Sequence, residues 1–198
     1  KLALEDFNRI TCSFYKYVPL DDLDELRNQL YVNWNSLDVL GRIYLSKEGI
    51  NAQVSIPEDN VDSFKTNVTN YSMFRDINFK IAIQEGISFY KLNIKIKDEI
   101  VAYKVDDSEY DMDKVGKHLD YKEFNKAIDD GATVVDVRNY YEGEVGKFKD
   151  AIIPDVDASI ELLPEIKKLL KGKEEDKVLM YCTGGIRCEK ASSYLIHH

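Results

Sequence analysis

The chain has 198 residues, carries a net charge of −9 and is 44% hydrophobic. This length allows one large domain or two small ones, each with enough apolar side chains for a packed core. The net negative charge weakly disfavours nucleic-acid binding, but five of the acids lie in one run at residues 106–113, so the first half can still present a basic face.

Hydrophobic periodicity predicts an alternation of strands and helices in the first half of the chain. The expected elements are a strand at 10–18, a helix at 20–30, a hairpin at 41–56, a helix opened by Pro57 and a strand at 78–83. This order is that of a ferredoxin-like, or acylphosphatase-like, α/β sandwich, which we expect over residues 8–105. Residues 106–118 are then expected to form an acidic linker, a solvated tether between two domains.

Residues 91–97 alternate between apolar and polar side chains, as a half-buried strand does. The polar positions include three lysines: Lys91, Lys95 and Lys97. One interpretation is an ordinary solvated sheet face. The other is a row of cations that follows an RNA backbone, because alternate strand positions lie roughly 7 Å apart, close to the spacing of phosphates.

The second half, residues 119–198, alternates helices with short buried strands, which predicts an α/β domain with a mostly parallel sheet. Asp120 and Glu123 form the pattern of a helix capping box. The remaining elements are a strand at 133–138, a loop with two glycines at 139–148, a helix at 160–170, a strand at 178–181 and a final helix at 187–196.

Cys182 lies where the last predicted strand ends, the position at which open α/β sheets bind ligands. The predicted active-site loop after it consists of Thr183, Gly184, Gly185, Ile186, Arg187 and Cys188. The two glycines let successive backbone N–H groups point inward, and the positive end of the next helix dipole faces the loop. A cysteine in these surroundings is expected to have a lowered pKa and to act as a thiolate. The alternative is a buried structural cysteine beside a tight turn.

The cysteine content also indicates the cellular compartment. Three widely spaced cysteines do not make a disulfide framework, and they indicate a reducing compartment, so we expect a cytoplasmic protein. We expect no membrane association, because no stretch approaches the ~20 apolar residues that span a bilayer. The few cysteines and histidines form no metal-binding cluster, and the chain has no glycine-rich dinucleotide motif, so neither a metal nor a bound cofactor is expected.

The pattern Cys-x4-Arg between a strand and a helix resembles the active-site loop of the rhodanese family. Two longer stretches are more specific: residues 180–193, with the string Cys-Thr-Gly-Gly-Ile-Arg-Cys-Glu-Lys, and residues 48–51, Glu-Gly-Ile-Asn. Both resemble the rhodanese-domain tRNA uridine hydroxylases of bacteria, which form 5-hydroxyuridine at the wobble position with molecular oxygen. The resemblance implies a tRNA partner, oxygen as co-substrate and an essential Cys182. It also implies a rhodanese-like domain at 119–198 that is incomplete at its carboxyl end.

Asp136, Arg138 and Glu142 also resemble rhodanese landmarks, and we expect them to form a structural brace. In this prediction Arg138 pairs with Glu142, and Asp136 holds the active-site loop through hydrogen bonds. Cys188 could resolve an oxidised Cys182 or simply pack in the first helical turn. Two other functions remain open: a sulfurtransferase that moves sulfur from thiosulfate or a persulfide through Cys182, and an RNA-binding module without activity.

Overall fold

The computed structural model describes residue 5 and residues 7–82 and 88–198. It divides the chain into two compact units, Lys1–Ile100 and Val101–His198. The division falls a few residues before the predicted domain boundary at 105. In the described part of the chain, no helix is long and apolar enough to cross a membrane.

The first unit is a five-stranded sheet covered by two helices. Its elements are β1 (Arg9–Tyr17), α1 (Leu23–Asn35), β2 (Leu40–Ser46), β3 (Gly49–Pro57), α2 (Val61–Thr69), β4 (Lys80–Ala82) and β5 (Leu92–Ile96). The strand order is β4-β1-β3-β2-β5; neighbouring strands are antiparallel except β5, which runs parallel to β2. The predicted ferredoxin-like order is therefore confirmed, with β5 as an added edge strand. Residue 83, at the end of the predicted fourth strand, lies outside the described residues.

The core of this unit lies between the sheet and the helices. Side chains alternate along each strand, so Cys12 and Phe14 of β1 point to the helical side and are buried. Trp34 of α1 and Phe64 of α2 meet there with ring centroids 5.2 Å apart. Burial raises the pKa of the Cys12 thiol to about 11, so Cys12 acts as a small apolar side chain.

The turn between β2 and β3 depends on Gly49. The two strands form the predicted hairpin, joined through Lys47 and Glu48. Gly49 has a φ of 144°, and a Cβ atom at this position would overlap the carbonyl oxygen of Lys16 in the neighbouring strand. Only glycine therefore lets β3 begin this close to β1.

Replacing Gly49 with alanine is expected to lower the free energy of unfolding by about 3 kcal/mol, from the overlap and from backbone strain together. Urea unfolding followed by the fluorescence of Trp34, the single tryptophan, measures this. Lys47→Ala is the matched control, because that side chain is exposed in the same turn; its effect should stay within about 0.5 kcal/mol. Equal stability of the two variants would contradict this explanation of the turn.

The second unit contains a short parallel sheet. Its elements are α3 (Tyr121–Asp129), β6 (Thr133–Asp136), α4 (Tyr140–Val145), α5 (Ser159–Leu169), β7 (Val178–Tyr181) and α6 (Ile186–His197). β6 and β7 pair in parallel, and Ile152 bridges to Val135 in the same direction. The predicted capping box of Asp120 and Glu123 is present at the start of α3. Leu163 and Ile166 of α5 pack with Ala191 of α6 in the core.

Two predictions for this unit are corrected. Residues 139–148, expected to be a loop, contain α4, and the Asn139 N–H donates to Glu142 Oε2 over 3.0 Å at its start. The acidic segment 106–118 is not a free tether. The hydroxyl of Ser193 on α6 donates to the Asp111 carbonyl oxygen at 2.6 Å and accepts from the Asp111 N–H at 2.8 Å. The Gly116 N–H donates to Ser192 Oγ at 2.8 Å.

Candidate active site

Cys182 lies between the end of β7 and the start of α6, at the carboxyl edge of the parallel strands. The turn that joins these elements passes through Gly185, whose φ of 92° is in the left-handed region that favours glycine. Because the turn is tight, the backbone N–H groups at the start of α6 converge on the cysteine side chain. The predicted sequence of strand, loop and helix is therefore present around Cys182.

The Cys182 sulfur is surrounded by hydrogen-bond donors. The Gly185 N–H donates to Sγ at 3.0 Å. The Cys188 thiol contributes most to lowering the pKa of Cys182, whereas burial acts to raise it. The N–H groups of Cys188, Gly185 and Gly184 lower the pKa further, and the result is a pKa of about 5. Cys182 is thus a thiolate at neutral pH. The pKa of Cys188 is raised, because its proton is held by Cys182 and because it is buried.

Arg187 and Glu142 form an ion pair beside the loop. Arg187 donates to the two carboxylate oxygens of Glu142 at 2.8 and 3.3 Å, and to Thr183 Oγ1 at 3.1 Å. The Thr183 hydroxyl also donates to Glu142, at 3.1 Å. The predicted pairing of Glu142 with Arg138 is therefore corrected: α4 carries Glu142 to Arg187, and the pair holds the loop from both of its ends.

Arg138 pairs instead with Asp136, a carboxylate that is only 1% exposed. Two guanidinium nitrogens of Arg138 donate to it, the shorter contact being 2.7 Å, and the Tyr181 hydroxyl donates at 2.7 Å. Burial acts to raise the pKa of Asp136, but these donors lower it overall. Tyr181 is the residue directly before Cys182, so Asp136 anchors the strand end from which the active-site loop starts.

Tyr103 and Tyr181 belong to the surroundings of this site and were not predicted from the sequence. Tyr103 is 1% exposed, and its hydroxyl donates to the Arg187 carbonyl oxygen at 3.4 Å. Its burial raises the pKa of the phenol. In the sequence, Tyr103 falls inside the predicted first domain, so nothing connected it with Cys182. The sequence shows that Tyr181 directly precedes Cys182, but it does not show that the Tyr181 hydroxyl contacts Asp136.

A cleft of about 880 Å³ opens next to the loop. It is lined by residues of α3 and β7 and by Cys182, Gly185 and Cys188. Over the described ranges, no group of three or more His, Cys, Asp or Glu side chains is arranged to hold a metal ion. The three predicted RNA-binding lysines lie in the first unit, on and beside β5, and all three are exposed.

Replacing Glu142 with glutamine is expected to destabilise the second unit by about 1–3 kcal/mol at pH 7, because Arg187 loses a charged partner. Burial acts to raise the pKa of Glu142, but the Arg187 hydrogen bond and other donors lower it below its ordinary value of 4.5. Its stabilising contribution is therefore complete above pH 4.5 and is lost as the pH falls through the lowered pKa.

Urea unfolding followed by circular dichroism at a series of pH values tests this. The difference between wild type and Glu142→Gln should shrink at low pH. Glu165→Gln, which removes the partner of the exposed Lys168 ammonium, is the control and should change little at any pH, because a flexible, solvated partner binds a carboxylate weakly. If the difference in free energy of unfolding between wild type and Glu142→Gln does not change with pH, the charge of Glu142 is not the source of its stabilising effect.

Comparisons with known proteins identify the relatives of the chain. A family model described as "UPF0176 acylphosphatase like domain" matches residues 9–100. Along its whole length the chain is 52% identical to the protein named tRNA uridine(34) hydroxylase of Leptospira interrogans serogroup Icterohaemorrhagiae serovar Lai (strain 56601). Proteins of the same name from Hamiltonella defensa subsp. Acyrthosiphon pisum (strain 5AT) and Escherichia coli O127:H6 are 44% and 41% identical to it. Over its whole length the chain is therefore similar to proteins of this name.

The resemblance inferred from the two sequence motifs is thereby confirmed, and so is the acylphosphatase-like fold of the first unit. The chain covers 54% of the Leptospira protein and 57% of each of the other two, so it spans little more than half of their length. Among solved structures, "BlrP1 BLUF" matches 48% of this chain and 67% of its own. The match has a TM-score of 0.38 and a sequence identity of 17%.

Proposed function

We propose that this chain is part of a tRNA-modifying enzyme that hydroxylates the wobble uridine to 5-hydroxyuridine, with Cys182 as the reacting group and molecular oxygen as co-substrate. The observation that carries the proposal is the lowered pKa of Cys182 inside a cradle of N–H donors. Cys182 lies in a chain whose relatives are named tRNA uridine(34) hydroxylase. We further propose that the second unit is a rhodanese-like domain, on the basis of its parallel strands and the Cys-x4-Arg loop.

In the proposed chemistry, a nucleophilic thiolate acts on an electron-poor pyrimidine. Cys182 adds to carbon 6 of uridine, or it carries a sulfur, its own or that of a persulfide, which O₂ oxidises to the peroxide level and which then delivers oxygen to carbon 5. The N–H groups between Thr183 and Arg187 stabilise the anion that develops in either case. In the net reaction, one oxygen atom of O₂ is inserted into the bond between carbon 5 and its hydrogen, which gives the 5-hydroxyl group. The other becomes water, with two electrons and two protons from a thiol reductant.

Isotope labelling of cells tests the reaction and the oxygen source together. A strain that lacks the gene is complemented with the full-length protein and grown under ¹⁸O₂, and its tRNA nucleosides are analysed by mass spectrometry. We expect 5-hydroxyuridine to return and to carry the heavy oxygen. Absence of the nucleoside would contradict the proposed hydroxylation, and light oxygen would contradict the use of molecular oxygen.

A sulfurtransferase is the second candidate, because the same cradle of N–H donors could hold a persulfide on Cys182. Thiosulfate-to-cyanide transfer by the purified chain distinguishes the two functions. Under the hydroxylase proposal, the complemented strain regains 5-hydroxyuridine whether or not the chain shows this side activity. Transfer without any return of 5-hydroxyuridine would favour the sulfurtransferase. In both proposals the protein acts in the cytoplasm, and tRNA is the partner only in the first.

A further inference from the structure

The sheet of the first unit has one face turned away from its helices. Strand register aligns the side chains on this face in two rows across the sheet. One row consists of Lys80, Ser13, Gln53, Arg42 and Asn93. The next consists of Tyr15, Asn51, Tyr44 and Lys95. We call these nine residues the open face.

The open face is basic although the chain as a whole is acidic. Strands β1 to β5 contain no aspartate or glutamate. Lys80, Arg42 and Lys95 are exposed on this face, and Lys97 follows at the end of β5. The helices on the opposite side, by contrast, carry acids in their first turns. The open face therefore presents positive side chains with no acidic side chain from its own strands among them, which suits a polyanion.

Aromatic rings lie among these cations. The Lys80 ammonium is 5.4 Å from the centroid of the Tyr15 ring. The Arg42 guanidinium and the Lys97 ammonium are 6.0 and 5.9 Å from the centroid of the Tyr44 ring. Solvation of a sheet face does not require cations beside aromatic rings. A bound nucleotide uses both groups, because its base stacks on a ring and its phosphate pairs with a cation.

Amide side chains complete the set. Asn51 lies between Tyr15 and Tyr44 in the same row, so the two tyrosines are two strand spacings, or about 10 Å, apart. Gln53 lies in the adjacent row and accepts a hydrogen bond from Arg42 at 3.0 Å. The Asn51 amide already donates to the Ile100 carbonyl oxygen at 3.3 Å, and the Gln53 oxygen already accepts from Arg42. Each amide therefore offers its other group, the Asn51 oxygen or the Gln53 N–H groups, to the edge of an unpaired base.

We propose that the open face binds single-stranded RNA, with bases stacked on Tyr15 and Tyr44 and phosphates bound by Arg42, Lys80 and Lys95. This inference rests on the proposed function, because a tRNA offers unpaired bases in its loops. It also widens the predicted lysine row: Lys95 and Lys97 take part, but they act together with residues of three other strands.

Fluorescence anisotropy of a labelled ten-nucleotide uridine RNA, added to the full chain, tests the proposal. Tyr44→Leu should weaken binding about tenfold, because stacking of one base is lost. The double variant Arg42→Gln with Lys95→Gln should weaken binding and make the salt dependence less steep by about 1.4 in log K against log salt, for two phosphates. Arg27→Gln is the control, because it removes one positive charge from α1 on the helical side. It should change neither quantity.

The double variant alters exposed side chains only, so it keeps the test valid if Tyr44→Leu fails to fold. Wild-type binding in the double variant, or displacement of the RNA by polyglutamate at equal charge, would overturn the proposal.

Measuring 5-hydroxyuridine in cells separates a failure of this proposal from a failure of the proposed hydroxylase function. If the variants bind RNA more weakly but wild-type protein restores no 5-hydroxyuridine, the RNA-binding role of the open face is supported and the hydroxylase function is contradicted. If the variants restore 5-hydroxyuridine and bind RNA as the wild type does, the hydroxylase function is supported and the RNA-binding role of the open face is contradicted.

Discussion

Alkylation of Cys182 by iodoacetamide is expected to stay fast down to about pH 6 and to fall off through a midpoint near pH 5, because the cradle of donors lowers its pKa to about 5. Cys12, with a pKa raised to about 11 and a side chain that is 1% exposed, should remain unmodified in the folded protein. Peptide mass spectrometry after short exposures across a pH series measures both sites in one experiment.

Two variants of Cys188 test the cause of this shift. Cys188→Ser keeps a hydroxyl donor toward the Cys182 sulfur, so the midpoint should remain low. Cys188→Ala removes the donor that contributes most to the lowered pKa, so the midpoint should move upward. A midpoint of Cys182 alkylation near 8.5, the value of an ordinary thiol, would contradict the lowered pKa itself. An alanine variant that matched the wild type would contradict the role of the Cys188 thiol in lowering it.

Replacing Asp136 with asparagine is expected to cost about 2–3 kcal/mol of stability in the second unit, because Arg138 loses its charged acceptor and keeps the neutral Gly146 carbonyl oxygen. The Tyr181 hydroxyl loses a charged acceptor at the same time. Urea unfolding at pH 7 measures the loss. Since Asp136 positions the strand end before Cys182, the same variant should also slow the alkylation of Cys182.

Asp130→Asn is the matched control for this prediction. Asp130 pairs with Lys126 on the surface of the same unit, and both side chains are largely exposed. Loss of that pair should leave the stability close to that of the wild type, because exposed ion pairs contribute little. Wild-type stability in Asp136→Asn would mean that the contacts of this carboxylate with Arg138 and Tyr181 do not stabilise the second unit. An unchanged rate of Cys182 alkylation would mean that it does not position the loop.

Features that depend on neighbouring residues in the sequence were predictable. The alternation from Ile50 to Ile56 predicted which side of β3 is buried, and those apolar residues are buried. The loop after Cys182 was predictable for the same reason, because the strand, the glycines and the helix start are consecutive. A short stretch of chain fixes the direction of its own N–H groups, so the part of the lowered pKa that these groups cause was predictable. The larger contribution, from the Cys188 thiol, was not predicted.

Pairings between distant residues were not predictable. Arg138 and Glu142 are close in sequence, and their opposite charges suggested a pair. The structure separates them because α4 turns Glu142 toward Arg187, while Arg138 folds back on Asp136. The open face is another example. Its lysines at β5 were visible, but Tyr44 joins them only through the parallel pairing of β5 with β2.

The most direct test of the central claim is the amount of 5-hydroxyuridine in tRNA from cells that lack the gene and carry the full-length protein or one of two variants. Cys182→Ala removes the proposed nucleophile, whereas Cys12→Ala changes a buried thiol in the other unit. We expect the wild type and Cys12→Ala to restore the nucleoside and Cys182→Ala to leave it absent. Restoration by Cys182→Ala would contradict every mechanism in which this thiolate reacts.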